Sequence, residues 1–302
     1  MESSFIAWLR SVTPAHPALA IGPGDDAALL AVPGGSQLVV TTDLLTEGVD
    51  FLLAEHAPRR IGHKALAVNL SDLAAMAARP LAVVIAVALP QQNAAQIARE
   101  LYAGILPLAA RHGVAIAGGD TNTWAAGLVI SITAFGTPGP RGPLRRGSAQ
   151  PGDRLLATGA FGGSILGRHL DVEPRVAEAL LLAERYELHA GIDVSDGLSL
   201  DASRLAAESG CGVSLDLARV PIAPAATQLA ASDGRTPLDH ALSDGEDFEL
   251  LLAVPPGDAE RIVREQPVGV PITDIGEFVA EPGLWQPTPS GRAPLAPRGY
   301  EH

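Results

Sequence analysis

A single cysteine, Cys211, and a single lysine, Lys64, are what the 302-residue sequence has least of. One cysteine excludes an internal disulfide framework and a cysteine-based zinc site. One lysine leaves 20 of the 21 basic residues as arginine, a compositional habit of an Ala- and Arg-rich proteome. Against 34 acidic residues the formal net charge is −13, which argues against a phosphate-backbone partner such as DNA because binding one requires clustered positive charge. A highly phosphorylated small ligand would be repelled as well, unless cations came with it. No apolar run approaches the ~20 residues of a membrane helix. The acidic, polar start "MESSFIAWLR" also lacks the basic segment of a secretion signal. No membrane partner and a cytoplasmic location are therefore expected. Nucleotide-binding signatures are missing too: no G-x-x-x-x-G-K-[ST] occurs, no G-x-G-x-x-G opens a helix, and the eight histidines show no H-E-x-x-H spacing.

What is present is a compact chain of two-domain length, 47% hydrophobic and only 18% charged. Residues 135–153, "FGTPGPRGPLRRGSAQPGD", are dense in Gly, Pro and Arg between two apolar segments and mark the expected boundary. They divide an N-terminal domain, 1–140, from a C-terminal domain, 141–302. In the first half, apolar periodicity predicts strands over 37–42, 82–89, 114–117 and 128–135, with helices over 58–78 and 93–112. In the second it predicts strands over 154–158, 191–194, 212–217, 248–254 and 272–278, with helices over 174–187, 198–209 and 258–266. The expected class is α+β, with two α/β domains. "VNLSDLAAM" and "IDVSDGLSL" share an apolar-Ser-Asp core, one in each half, as duplicated domains would.

Carboxylates recur at the ends of apolar segments, in "GPGDDAALL", "VVTTDLL", "NLSDLAAM", "AGGDT" and "DVSDGL". The helix carrying Asp72 reads "ALAVNLSDLAAMAA", apolar on every side except at Asn69, Ser71 and Asp72. A helix hydrophobic all round is buried, and a buried carboxylate needs compensation. That comes either from backbone N–H groups of a neighbouring loop or from a cation. The other acids share one local grammar. Asp43 follows Thr41 and Thr42 at a strand end, Asp120 follows Gly118 and Gly119, and Asp193 and Asp196 bracket Ser195. Any one of these is explained by a plain turn. Taken together, hard oxygen ligands flanked by hydroxyls and glycine turns suit Mg²⁺ and a polyphosphate, with Asp25 and Asp26 opening the set.

"GPGDDAALL", "TTDLLTEGVDF", "HKALAVNLSDLAAM", "GGDTN", "GIDVSDGL", "SDGEDFEL" and the final "GY" occur in the order and at about the spacing found in thiamine-monophosphate kinases, and the resemblance covers nearly the whole chain. The wider superfamily includes aminoimidazole ribonucleotide synthetase, selenophosphate synthetase and a hydrogenase-maturation protein. The resemblance implies an ATP- and Mg²⁺-dependent kinase that converts thiamine monophosphate to thiamine diphosphate. It also implies a homodimer built by pairing N-terminal mixed sheets. Carried over position by position, Asp26, Thr41, Thr42, Asp43, Asp72, Asp120, Asp193 and Asp196 would ligate Mg²⁺, with Asp72, Asp43 and Asp120 at the reacting centre. Gly119, Asp120, Arg146 and Ser195 would contact ATP, and Asp50, Glu246 and Tyr300 the thiamine phosphate. The family usually has histidine where this sequence has Asp50. A non-catalytic cation-binding protein would not need the flanking Ser, Thr, Gly and Arg pattern. The selenophosphate and hydrogenase-maturation chemistries are expected to use a cysteine nucleophile, whereas this sequence has no cysteine before Cys211 and ends "RGYEH".

Overall fold

The computed structural model describes residues 2–12, 14, 16–22, 24–32 and 34–300. The chain begins with α1 (Glu2–Val12), β1 (Leu19–Ile21), β2 (Ala28–Val32) and the long β3 (Ser36–Thr46). These are followed by α2 (Pro58–Ala75), β4 (Ala78–Pro90), α3 (Ala94–His112), β5 (Ala115–Trp124) and β6 (Val129–Pro138). The six strands form one sheet in the order β1-β2-β3-β6-β4-β5. Only the β4–β5 pair is parallel, because α3 crosses between them.

The second sheet is built from β7 (Arg154–Thr158), β8 (Ala190–Asp193), β9 (Gly212–Leu215), β10 (Leu250–Val254), β11 (Ile272–Val279), β12 (Gly283–Thr288) and β13 (Gly291–Pro294). Its order is β13-β12-β9-β11-β7-β10-β8. Five helices accompany it: α4 (Val176–Arg185), α5 (Leu198–Glu208), α6 (Pro224–Asp233), α7 (Pro237–Ser243) and α8 (Pro256–Glu265). The expected strands and helices all form, mostly within a few residues at their ends. However, β5 runs seven residues past its expected end, so Gly118, Gly119 and Asp120 lie within a strand rather than in a turn after it. Likewise β3 continues to Thr46, so Asp43 is inside its strand rather than at its end. Sequence periodicity does not reveal α1, β1, β2, α6, α7, β12 or β13, because short or peripheral elements bury too few side chains to leave a pattern.

The position of α2 organises the molecule. It packs on α3, on β3 and β6 of the first sheet, and on α4 and β8 of the second half. Thirteen of its 18 residues are buried, as an all-round apolar surface requires. One hydrophobic core runs from the first sheet through α2 and α3 into Leu156, Leu250 and Leu252 of the second sheet. A second core lies under α5 on the other face of that sheet and includes Cys211, whose burial fits a packing role. Among the described residues no helix is long and apolar enough to cross a membrane.

Candidate active site

Three carboxylates meet where the first sheet, α2 and the second sheet come together. Asp26 lies in the turn before β2, Asp72 in the last turns of α2, and Asp193 at the C-terminal end of β8. One oxygen from each lies within 4.8 Å of the others. Hydroxyls brace the group: Thr41 Oγ1 donates to Asp72 at 2.5 Å, and Ser71 Oγ donates to Asp193 at 2.5 Å. Arg146, from the turn that links the two sheets, forks onto both oxygens of Asp26, Nε at 2.9 Å and Nη2 at 2.6 Å. Its backbone N–H donates to Asp25 at 3.2 Å. Asp25 thus shapes the turn that presents Asp26.

The electrostatics follow from this crowding. Burial pushes the Asp72 carboxyl well above the ordinary carboxylate range, and Asp43, Asp193 and Asp26 push it further. Burial raises Asp193 in the same way, with Asp26 adding to it. Asp43, on the same face of β3 as Thr41, is pushed up to about 6 by burial and by Asp50. Its buried Oδ2 has no hydrogen-bond partner among the described residues. For Arg146, burial alone would favour loss of its proton, but Asp26 outweighs it and the guanidinium is held firmly charged. The remaining deficit is one of positive charge among oxygen donors. Aspartates with threonine and serine hydroxyls are the donor set that hard divalent cations such as Mg²⁺ prefer. Asp26, Asp72 and Asp193, with Asp43 beside them, could hold one.

The remaining sequence candidates are placed differently. Thr42 alternates to the opposite face of β3, where its hydroxyl donates to the Ile132 carbonyl. Gly119 and Asp120 are exposed on β5, the edge strand of the first sheet. The strand register sets Asp120 in a row with Ala86, Ser131 and Leu44. That row faces away from α2, since its neighbours Ile85 and Ile132 are the buried ones. Within one chain Asp120 therefore does not join the three carboxylates. Ser195 and Asp196 lie in the loop from β8 to α5, next to Asp193. Arg204 pairs with Asp196 and with the buried Asp201. Asp201 in turn accepts the Asp196 and Gly197 amides at 2.9 and 3.1 Å, fixing the entry to α5. The Tyr300 amide donates to the Asp196 carbonyl, bringing the end of the chain to this loop. Asp50 is engaged in its own turn, its carboxylate accepting the Thr46 amide at 2.6 Å. Glu246 pairs with Lys64.

Sequence reasoning missed several of these supports. Ser71 belongs to the repeated Ser-Asp core, so its signal was available. Asp201 and Arg204 also carry a local signal, an acid in the first turn of α5 followed by an arginine at i,i+3. The acidic "GEDFEL" segment divides its labour. Asp247 accepts the Gly162 amide at 2.9 Å, while the buried Glu249 pairs with Arg168 and Arg175. Of its three acids only Glu246 keeps a substantially exposed side chain, at 34%.

Residues 24–137 match the AIR synthase related protein N-terminal domain, and 149–284 match the corresponding C-terminal domain. The thiamine-monophosphate kinase of Rhodopirellula baltica is 47% identical over 310 residues, covering 100% of this chain and 97% of its own length. That of Caulobacter vibrioides is 39% identical, covering 91% and 83%. Among solved structures, one described as "AaThiL complexed with AMPPCP and TMP" superposes with a TM-score of 0.83 at 25% identity, covering 100% of this chain and 95% of that one. The thiamine-monophosphate kinase of Stenotrophomonas maltophilia superposes with a TM-score of 0.74 at 34% identity, covering 94% and 95%. With two AIR synthase related α/β domains and this degree of identity along its whole length, the chain belongs to the thiamine-monophosphate kinase family.

Proposed function

We propose that this chain transfers the γ-phosphoryl group of ATP directly to the phosphate of thiamine monophosphate, yielding thiamine diphosphate and ADP. The observation that carries the reading is the meeting of Asp26, Asp72 and Asp193 beside a fully charged Arg146. Phosphoryl transfer asks a protein for positioning and for neutralising charge rather than for covalent chemistry. A phosphate oxygen of the acceptor attacks the γ-phosphorus in line. The bond to the β–γ bridging oxygen breaks, and ADP leaves with that electron pair. The acceptor is already mostly ionised at neutral pH, its second pKa being about 6, so no general base is needed.

Mg²⁺, when bound, supplies the positive charge that lets two phosphate-bearing substrates enter a chain of net charge −13. Asp26, Asp72 and Asp193 would hold it, with Asp43 and Thr41 adjoining. Arg146, already paired with Asp26, would supply positive charge to the triphosphate. Ser195 would meet the nucleotide, and Glu246 and Tyr300 the thiamine end. Asp50 would act there through the turn it fixes. Asp120 and Thr42 lie on the open face of the first sheet, and Gly119 adjoins Asp120 on the β5 edge. We place their contribution across a homodimer formed by that face and the β5 edge.

A coupled ADP-release assay over a panel of phosphorylated acceptors tests this. One thiamine diphosphate should form per ADP from thiamine monophosphate, and unphosphorylated thiamine should remain untouched. Phosphorylation of thiamine itself, or ADP release only with formylglycinamidine ribonucleotide, would overturn it.

A further inference from the structure

The sequence's one lysine lies at a junction. Lys64 is 1% exposed on α2, and its ammonium donates to the Asp50 carbonyl at 2.9 Å and to Oε1 of Glu246. A buried ammonium is tolerated only when its charge is met and its protons are used. Here the counter-charge is held in an unusual posture. Glu246 has φ of 52°, and Phe248 has φ of 52° as well, a left-handed conformation that side chains other than glycine adopt only when their surroundings hold them there. The other side of the same loop is fastened to the turn after β8. The Glu246 amide donates to the Ser195 carbonyl at 2.6 Å, and the Phe248 amide to the Val194 carbonyl at 2.8 Å. Lys64 thus joins three pieces: the 46–51 turn of the first domain, the 244–249 loop of the second, and through Glu246 the Ser195 loop.

The shape of the cation matters. An ammonium is a compact point donor that can serve a carbonyl and a carboxylate in different directions, whereas a guanidinium is a wide planar fork. Arginine fills every other Lys/Arg position of this sequence, whereas here a buried point donor serves two acceptors from different elements. The Glu246 carboxylate remains 34% exposed, and among the described residues its second oxygen has no hydrogen bond. One edge is pinned by Lys64 while the other, on a partly exposed side chain, is left available.

We propose that Lys64 is a positioning residue for thiamine monophosphate, fixing Glu246 and the Asp50 turn so that the open carboxylate edge meets the cationic heterocyclic end of the substrate. This rests on the thiamine-monophosphate kinase reading above. Lys64 takes no part in phosphoryl transfer; it acts through Glu246.

The solitary lysine makes the test direct. Protein grown with ¹⁵N-lysine carries one side-chain ammonium signal, which is followed while thiamine monophosphate, or a non-hydrolysable ATP analogue with Mg²⁺, is added. The signal should move with thiamine monophosphate and stay in place with the nucleotide analogue. Lys64→Met and Lys64→Arg should each raise KM for thiamine monophosphate about tenfold or more, with KM for ATP changed by less than about twofold. Adding Glu246→Gln to Lys64→Met should cost little more, because the two act as one unit. An ammonium signal that ignores thiamine monophosphate in a wild-type protein that does turn it over would overturn the assignment of Lys64 and leave the kinase reading standing. Equal effects of the Lys64 variants on both KM values would overturn it too. ADP release that does not depend on thiamine monophosphate would remove the kinase reading, and this assignment with it. If Lys64→Met does not fold, the labelled wild-type signal still decides.

Discussion

Asp72 combines two properties that natural cores avoid. It is an acid in an apolar helix, and three further acids act on it while one hydroxyl compensates it. Function and stability should therefore part company here. Asp72→Asn removes charge from a self-repelling cluster, so without Mg²⁺ the variant should melt at the wild-type temperature or a few degrees above it. Turnover should fall by at least about 10²-fold, as on loss of a key electrostatic group, and the thermal shift caused by Mg²⁺ should shrink. Retained activity with unchanged Mg²⁺ dependence would sink the assignment, and an unfolded variant would return Asp72 to a structural role. Asp43 makes a second prediction, in pH. Its folded-state pKa is raised from 3.8 to about 6 by burial and by Asp50. The folded state therefore binds the proton more tightly than the unfolded chain does, and metal-free stability should decline as pH rises through that window. Mg²⁺ competes for the same oxygens, so its stabilisation should be larger at pH 8 than at pH 5. Thermal melts with and without Mg²⁺ at both values check this, and an equal shift would exclude Asp43 from the site.

At the scale of elements, α2 must be held close to α3 for Asp72 to face both sheets, and two glycines make that possible. A Cβ at Gly104 would lie 1.8 Å from the Arg59 carbonyl oxygen, and one at Gly62 would lie 2.1 Å from that of Leu101. Two effects compete in Gly104→Ala. Helix propensity favours alanine by about 1 kcal/mol, but overpacking against rigid backbone costs roughly 1–3 kcal/mol or more. The clash should win, since no flexible side chain is there to give way. Urea unfolding should show a net loss of about 1–2 kcal/mol. Turnover should fall as well, because a shifted α2 moves Asp72 from Asp193. A stabilised variant would mean that the two helices are free to separate.

For the whole molecule, the first sheet is covered by helices on one face only. Leu44, on the other face, is 63% exposed, and β5 pairs with a neighbour along one edge only. Long unpaired edges invite pairing with another chain. Sedimentation should give twice the chain mass. Ala86→Arg, at an exposed position in the Asp120 row, should leave a folded single chain with more than about tenfold lower activity, since charge buried in a partner face is costly. Full activity in a monomeric wild type would show that Asp120 has no part in the site.

The sequence by itself determined a good deal. Periodicity defined the long elements, because α2, α3, β3 and β4 bury whole faces whose repeat of 3.6 or 2 is visible in one dimension. The Ser-Asp cores and glycine turns marked the acids, because hard-ligand chemistry restricts residue type at each position. Only the tertiary structure decided which acids share a site. Asp26, Asp72 and Asp193 converge because α2 is clasped between two sheets, whereas Asp120, equally plain in sequence, lies on the opposite face of its sheet through strand register. The same holds for Lys64 and Glu246, 182 positions apart. Nothing local distinguishes that lysine from a compositional accident, since the pairing exists only once burial has removed water from the ammonium and left a carboxylate as its compensation.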